Sequence, residues 1–380
     1  MNNETKGKRP GKRWKRILKW SVLVILVALF VWFQIAYWTS TNDCGHMAAP
    51  TNPMKAITYC AYGLTNLKLE DVEKPVPKDD EVLVRVRAAS VNPYDWHFVE
   101  GTPYVMRAMG VGLRKPKDIR LGVDFAGTVE AVGKNVTQYK PGDEVFGGRG
   151  GAFAEYVCRR ATGAIALKPA NVTFEQAAAL NIAGITALQG IRDKGKVQAG
   201  QKVLVNGASG GVGTFAVQIA KSFGANVTGV CSTRNVDLMK SLGADQVIDY
   251  TKEDFTKGNE RYDVILDNVG TGHSLSEYRK VLAPNGKYVL IGGGGVGEQG
   301  LLGGLARALW ASIVSKLWKQ QMGMMMADPS TKDLTLLGEL TQEGKLKPVI
   351  DRTYKLEEVP QALAYLEQGH ARGKVIITMD

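Results

Sequence analysis

The sequence predicts an α/β protein in which an antiparallel β-rich domain is joined to a doubly wound parallel sheet, with one transmembrane helix ahead of both. Three observations carry that prediction. Residues 20–38 form an uncharged apolar run, and residues 55–133 alternate apolar and polar positions between Pro and Gly turns. From residue 202 onward short β-branched runs alternate with helix-period segments, the pattern of a parallel sheet covered on both faces.

The N-terminal segment concentrates the charge. The chain of 380 residues has a formal net charge of +11. Lys6, Lys8, Arg9, Lys12, Arg13, Lys15, Arg16 and Lys19 against Glu4 place +7 of it before residue 20. The remainder interleaves both signs, which argues against a nucleic-acid surface. The run at 20–38 has Ser21 and Gln34 as its clearly polar members, and as a helix it is long enough for roughly 30 Å of hydrocarbon. The basic residues before it predict a cytoplasmic N-terminus and a single-pass membrane protein. The same rule sets the body across the membrane from cytosolic cofactor, unless the anchor inserts in reverse, the compartment supplies cofactor, or the chain starts at Met47 or Met54. Residues 39–53 are short, polar and proline-bearing, and read as a linker. The four cysteines, Cys44, Cys60, Cys158 and Cys231, show no paired spacing and indicate neither a disulfide framework nor a zinc knuckle.

The β-rich domain is expected over 54–178. Strand patterns follow in KAITYCAYG, LKLEDVEKPVPKDDEVLVRVRAASVN and VDFAGTVEAVG, then around the turn of KPGDEVFGG, before a helical run at 174–187. A nucleotide-binding domain is expected over 179–315. Its centre is KVLVNGASGGVGTFAVQIAKSFG at 202–224, a strand, a glycine turn and an amphipathic helix closed by Gly224. Ala208, Gly210 and Gly213 occupy the small-residue positions of a dinucleotide fingerprint, and Ser209, Gly211 and Val212 complete the turn. Backbone N–H groups at a helix N-terminus reach a pyrophosphate only where no Cβ intervenes. Residues 305–327, with Trp310, Trp318 and a cluster of methionines, read as a helix packed on the sheet or a dimer surface. The segment 316–380 is expected to return to the first domain, its last strand rejoining that sheet.

The motifs SVNPYDW (90–96), GVDFAGTVEAVG (122–133), PGDEVFG (141–147), AGITALQ (183–189), NGASGGVG, SLGADQVIDY (241–250) and ARGKVII (371–377) together resemble the medium-chain dehydrogenase/reductase superfamily over nearly all of 54–380. Within it they resemble the zinc-independent quinone oxidoreductase branch, of the chloroplast-envelope quinone oxidoreductase homologue type. The resemblance implies a GroES-like catalytic domain built from both ends of the body, with a Rossmann domain inserted. Asn92 stands where the zinc enzymes are expected to carry a cysteine ligand, and Val123-Asp124 replaces a His-Glu pair, so no metal site is expected. His97 reads as a hydrogen-bonded structural residue. Asn92 and Asp95 match positions near the active cleft, Asp95 serving there or capping its own loop. Tyr104 is placed like the tyrosine proton donor of related enoyl-thioester reductases, or else forms an aromatic wall.

The end of the second parallel strand reads Cys231-Ser232-Thr233-Arg234, without the acidic residue that grips a ribose 2′-hydroxyl. Ser232 and Arg234 suit a 2′-phosphate, which predicts NADPH. Tyr250 is expected near the adenosine end, Asn268 and Gly270 toward the nicotinamide with Gly292, and Asn268 could instead cap its turn. These features predict an NADPH-dependent reductase of α,β-unsaturated carbonyls or quinones. A zinc-free alcohol or aldehyde oxidoreductase and a membrane-tethered NADPH-binding protein without turnover are the alternatives.

Overall fold

The computed structural model describes residues 11–38, 44, 49–148, 150–291 and 304–379. The body begins with strands β1 (Pro53–Tyr59) and β2 (Leu67–Glu73), an antiparallel pair. Next come β3 (Glu81–Val91), β4 (Asp124–Val132), β5 (Glu144–Gly148), β6 (Tyr156–Arg160) and β7 (Ile165–Leu167). The long strand β3 reads VLVRVRAASV, and its valines are buried while Arg85 and Arg87 face water, the alternation its pleat requires. The parallel strands are β8 (Lys202–Asn206), β9 (Asn226–Cys231), β10 (Gln246–Asp249), β11 (Tyr262–Asp267), β12 (Leu282–Ile291) and β13 (Gln321–Met325). Strands β14 (Ile350–Lys355) and β15 (Lys374–Thr378) end the chain.

Ten α-helices accompany them among the described residues: α1 (Gly11–Trp38), α2 (Pro93–Glu100), α3 (Phe174–Ala178), α4 (Asn181–Gln189), α5 (Gly211–Ser222), α6 (Val236–Ser241), α7 (Leu275–Val281), α8 (Gly304–Ser315), α9 (Thr331–Gln342) and α10 (Val359–Glu367).

Two main sheets result. One has six strands in the order β10-β9-β8-β11-β12-β13, all parallel. The other runs β14-β15-β3-β4-β5-β7, with β6 also on β3. Strand β15 pairs antiparallel with β3, matching Val375 to Val91, so the end of the chain lies on the first sheet, while 321–325 of the segment expected to return there pairs in the parallel one. Helix α5 buries Phe215, Ala216, Ile219 and Ala220 in a core shared with Val203 and Val205 of β8, and with Leu334 and Leu337 of α9. A second core fills the β-rich part around Trp96, Phe125 and Phe153.

Three expectations are corrected. Among the described residues no helix is long and apolar enough to cross a membrane. The expected transmembrane helix, the membrane partner and the single-pass localisation therefore fall together. A crossing needs about 20 consecutive apolar residues. The first turns of α1 carry Lys12, Arg13, Lys15, Arg16 and Lys19, and Ser21 and Gln34 interrupt the apolar run that follows. Second, Cys44 and Cys60 form a disulfide, 16 residues apart with Cα atoms at 5.8 Å. Sequence spacing alone carried no sign of it, because a separation of 16 residues matches no paired-cysteine motif. Third, the helix expected through 327 stops at Ser315, and the Met-rich QMGMM becomes the sixth parallel strand. Gly323 weakens a helix there, while unbranched methionines accept either conformation.

Candidate functional site

The order of the parallel sheet reverses between β8 and β11, which lie side by side in register from Val203↔Val264 to Asn206↔Asp267. A crevice at the carboxyl ends of the strands is expected at such a point. The glycine turn fills one side of it. Gly207 has φ +72°, and a Cβ on Gly213 would sit 2.2 Å from the Gly207 carbonyl oxygen, so the first turn of α5 can pack on the turn only as glycine. Gly210 is the N-cap of α5 and no side chain caps it, so the first-turn N–H groups at Gly211, Val212 and Gly213 meet no capping acceptor. Ala208 is buried, its N–H donating to Val230 O at 2.9 Å. The Ser209 carbonyl accepts from Gly373 N at 2.8 Å, which pins the tail to the turn.

Across the crevice, Asn268 donates twice to Asn206 O, through its backbone N at 3.1 Å and Nδ2 at 2.9 Å. Its Oδ1 is buried without a partner. That orphaned acceptor and the Cβ-free cradle fit a dinucleotide whose carboxamide end supplies a donor. The neighbouring Asp267 carboxylate is fully engaged, accepting from Asn206 Nδ2, Tyr288 Oη, Val269 N and Gly270 N at 2.6–3.1 Å.

At the other end, Ser232 and Arg234 follow β9. Arg234 is exposed and donates through Nη2 to His370 O at 2.6 Å. Ser232 Oγ accepts from Asn235 Nδ2 at 3.2 Å, and the Tyr250 side chain is exposed beyond β10. Asp249 lies close by, but Thr233 Oγ1 at 2.5 Å and Thr251 Oγ1 at 2.7 Å donate to its carboxylate. These bonds hold it well below the usual carboxylate range. The acidic group is thereby committed to its own loop.

The expected catalytic positions form a buried network. Asn92 precedes α2, and its backbone N donates to Asp95 Oδ2 at 2.9 Å. Its Nδ2 donates to Asp124 Oδ2 at 2.9 Å and to Ser90 O at 3.1 Å, while its Oδ1 accepts from Lys374 Nζ at 2.5 Å. Asp124 also accepts from Ser90 Oγ at 2.6 Å, Asn181 Nδ2 at 2.8 Å and Ile182 N at 3.2 Å. Burial, and then the Asp124 charge, push the Asp95 carboxyl up to about 7. Burial also pulls the Lys374 ammonium down, with Asp124 and Asp95 opposing it.

Asn92 and Asp95 are therefore together, and Asn92 has both amide hydrogens engaged inside the protein. Tyr104 shares no hydrogen bond with them. Its side chain is 47% exposed and its ring lies 5.0 Å from the Arg107 guanidinium carbon. Arg107 in turn donates to Gly101 O and Glu100 O. His97 Nδ1 donates to Thr102 O at 2.9 Å, and burial lowers its pKa. Gly292 lies outside the described residues. Sequence reasoning missed Lys374, Asp124, Ser90 and Asn181 as site members. The available signal was a lysine opening KVIIT, a strand otherwise apolar enough to be buried. Among the described residues no three His, Cys, Asp or Glu side chains gather as a metal ion would need.

A parallel sheet of this order, a glycine cradle at its switch point and a β-rich partner closing on it define a two-domain oxidoreductase that uses a nicotinamide dinucleotide. Known proteins agree. Residues 78–169 match the alcohol dehydrogenase GroES-like domain, and residues 242–377 match the zinc-binding dehydrogenase family. The chain is 37% identical over 337 residues to trans-enoyl reductase pgmF of Aspergillus terreus, covering 83% of this chain and 92% of the relative. It is 34% identical to the chloroplast envelope quinone oxidoreductase homolog of Arabidopsis thaliana, covering 85% and 98%. The solved quinone oxidoreductase from Coxiella burnetii superposes with a TM-score of 0.77 at 32% identity, covering 87% of this chain and all of that one. The chain belongs to the medium-chain dehydrogenase/reductase superfamily, in its zinc-independent quinone and enoyl reductase branch. It is an NAD(P)H-dependent oxidoreductase of that type, acting on enone-like or quinone-like substrates.

Proposed function

We propose that the protein uses NADPH to reduce the carbon-carbon double bond of α,β-unsaturated carbonyl compounds, with quinones as poorer substrates. The observation that carries this is the state of Asn92 and Asp124. In metal-dependent relatives these positions would present ligands, whereas here they are consumed by hydrogen bonds to one another, Ser90, Asn181 and Lys374. Oxidation of an alcohol calls for a group that stabilises its alkoxide, the role a catalytic metal fills. Reduction of an enone needs less, because the charge moves to the carbonyl oxygen as an enolate that a few donors can hold.

Bound in the crevice, the reduced nicotinamide supplies the hydride. The chain's own residues do the rest. Gly210 to Gly213 hold the pyrophosphate with backbone N–H groups, Asn268 Oδ1 accepts from the carboxamide, and Ser232 and Arg234 take the 2′-phosphate. Tyr250 covers the adenosine end. Tyr104, exposed on the loop after α2, is the candidate to protonate the α-carbon. The names of the relatives, trans-enoyl reductase and quinone oxidoreductase, support the same substrate classes.

The test is product analysis with NADPH deuterated at the transferable C4 position, using 2-alkenals and vinyl ketones. Deuterium on the β-carbon of a saturated carbonyl product is expected. Deuterium on the carbinol carbon of an allylic alcohol would refute double-bond reduction.

A further inference from the structure

One buried cation joins the two halves of the molecule. Lys374 opens β15 on the catalytic sheet and is only 3% exposed. Its direction is set by Gly373, which has φ +86° and where a Cβ would lie 2.3 Å from Val349 O. The Lys374 stem crosses the start of the cofactor helix, its Cδ 3.1 Å from where a Cβ on Gly211 would stand. Its ammonium ends in the catalytic sheet, 2.5 Å from Asn92 Oδ1, 3.3 Å from Val91 O and 3.6 Å from Asp124 Oδ2. Asp124 continues the connection to α4 through Asn181 Nδ2 and Ile182 N. The backbone beside Lys374 repeats it, since Gly373 N donates to Ser209 O and His370 O accepts from Arg234.

A buried ammonium is costly unless charged and hydrogen-bonding partners surround it. An apolar residue would fill the start of a buried strand more cheaply, so the lysine is understandable through what its head holds. Without it, the Asn92 carbonyl oxygen loses its donor, and only the Nδ2 bonds to Asp124 and Ser90 are left to hold the amide.

We propose that Lys374 is a positioning residue, which holds the Asn92 amide on the catalytic side while lying against the first turn of the cofactor helix, so that cofactor and catalytic groups keep one register. The floor of the cleft is then a fixed joint. This reading rests on the oxidoreductase function above only for its kinetic consequence, and its structural consequence is measurable without cofactor or substrate.

The decisive experiment compares wild type with Lys374→Met by amide hydrogen exchange on the cofactor-free full chain. Loss of a charge-assisted bond should ease local opening, so protection at Asn92 and Gly373 is expected to fall together by roughly tenfold or more. Protection at Val227 and Val230 in β9 should stay unchanged. With an active wild type, the primary isotope effect from C4-deuterated NADPH should also change in Lys374→Met, which a mere loss of folded protein would not produce. If Lys374→Met does not fold, Lys374→Gln keeps a donor for Asn92 Oδ1 and is expected to show a smaller loss of protection at the same two amides. Unchanged protection at both amides in a folded variant overturns the proposal. An inactive wild type with lowered protection in the variant would refute the proposed function while leaving the joint in place.

Discussion

Arg234→Ala isolates the basis of cofactor choice. In the structure the guanidinium already donates to His370 O, a neutral carbonyl acceptor. Binding a 2′-phosphate therefore exchanges one bond for another. A charge-assisted bond contributes about 1.5–3 kcal/mol and a neutral one about 0.5–1.5 kcal/mol, leaving a difference of about 1–1.5 kcal/mol. That difference corresponds to roughly 5- to 13-fold in Kd. Because Arg234 is exposed, added salt should shrink the effect. The assay is titration of wild type and variant with NADPH and NADH, followed by cofactor fluorescence at low and at physiological ionic strength. NADPH should weaken within that range, and NADH by less than about twofold. Equal weakening of both cofactors would refute the assignment, because NADH has no group for Arg234 to grip.

Two further outcomes are expected. Asp95 has its carboxyl raised from 3.8 to about 7 by burial and by the charge of Asp124. The native state therefore holds a proton that the unfolded chain releases above about pH 4, and stability should fall as pH rises from about 4 to about 7, then level off. At about 1.4 kcal/mol per pKa unit the contribution is capped at about 4 kcal/mol, and Asp95→Asn should flatten the slope in denaturant titrations across that window; a slope that persists in the variant would assign it to another group. Tyr104→Phe should lower turnover by roughly 10²-fold if the hydroxyl protonates the product, and a near-normal rate would leave Tyr104 as a wall of the cleft.

How much was legible in the sequence depended on how local the determining forces are. The β8 strand, glycine turn and α5 helix could be read from 202–224, because strand propensity, positive φ and helical spacing all act within a few residues. The return of the tail to the first sheet was also legible, from the resemblance carried by ARGKVII. Lys374 was not. A lysine at the head of an apolar strand looks like a solvated end until Asn92 and Asp124, more than 200 residues away, are seen to surround it. The same distance problem hid the engagement of Asn92, whose amide looks available when read alone. For 321–325 the local signal was ambiguous, and pairing with β12 decided it.

The Cys44–Cys60 bridge changes the geometry of everything before it. Helix α1 ends at Trp38, and β1 begins at Pro53. Without the bridge, those fifteen residue steps would allow a reach of about 50 Å at roughly 3.3–3.6 Å per residue. With Cys44 fastened to Cys60 of the body, the leash runs six steps from Trp38, or about 20 Å. The end of the helix is thereby kept beside the β-rich domain, where the Trp38 ring lies 5.2 Å from the Arg114 guanidinium carbon.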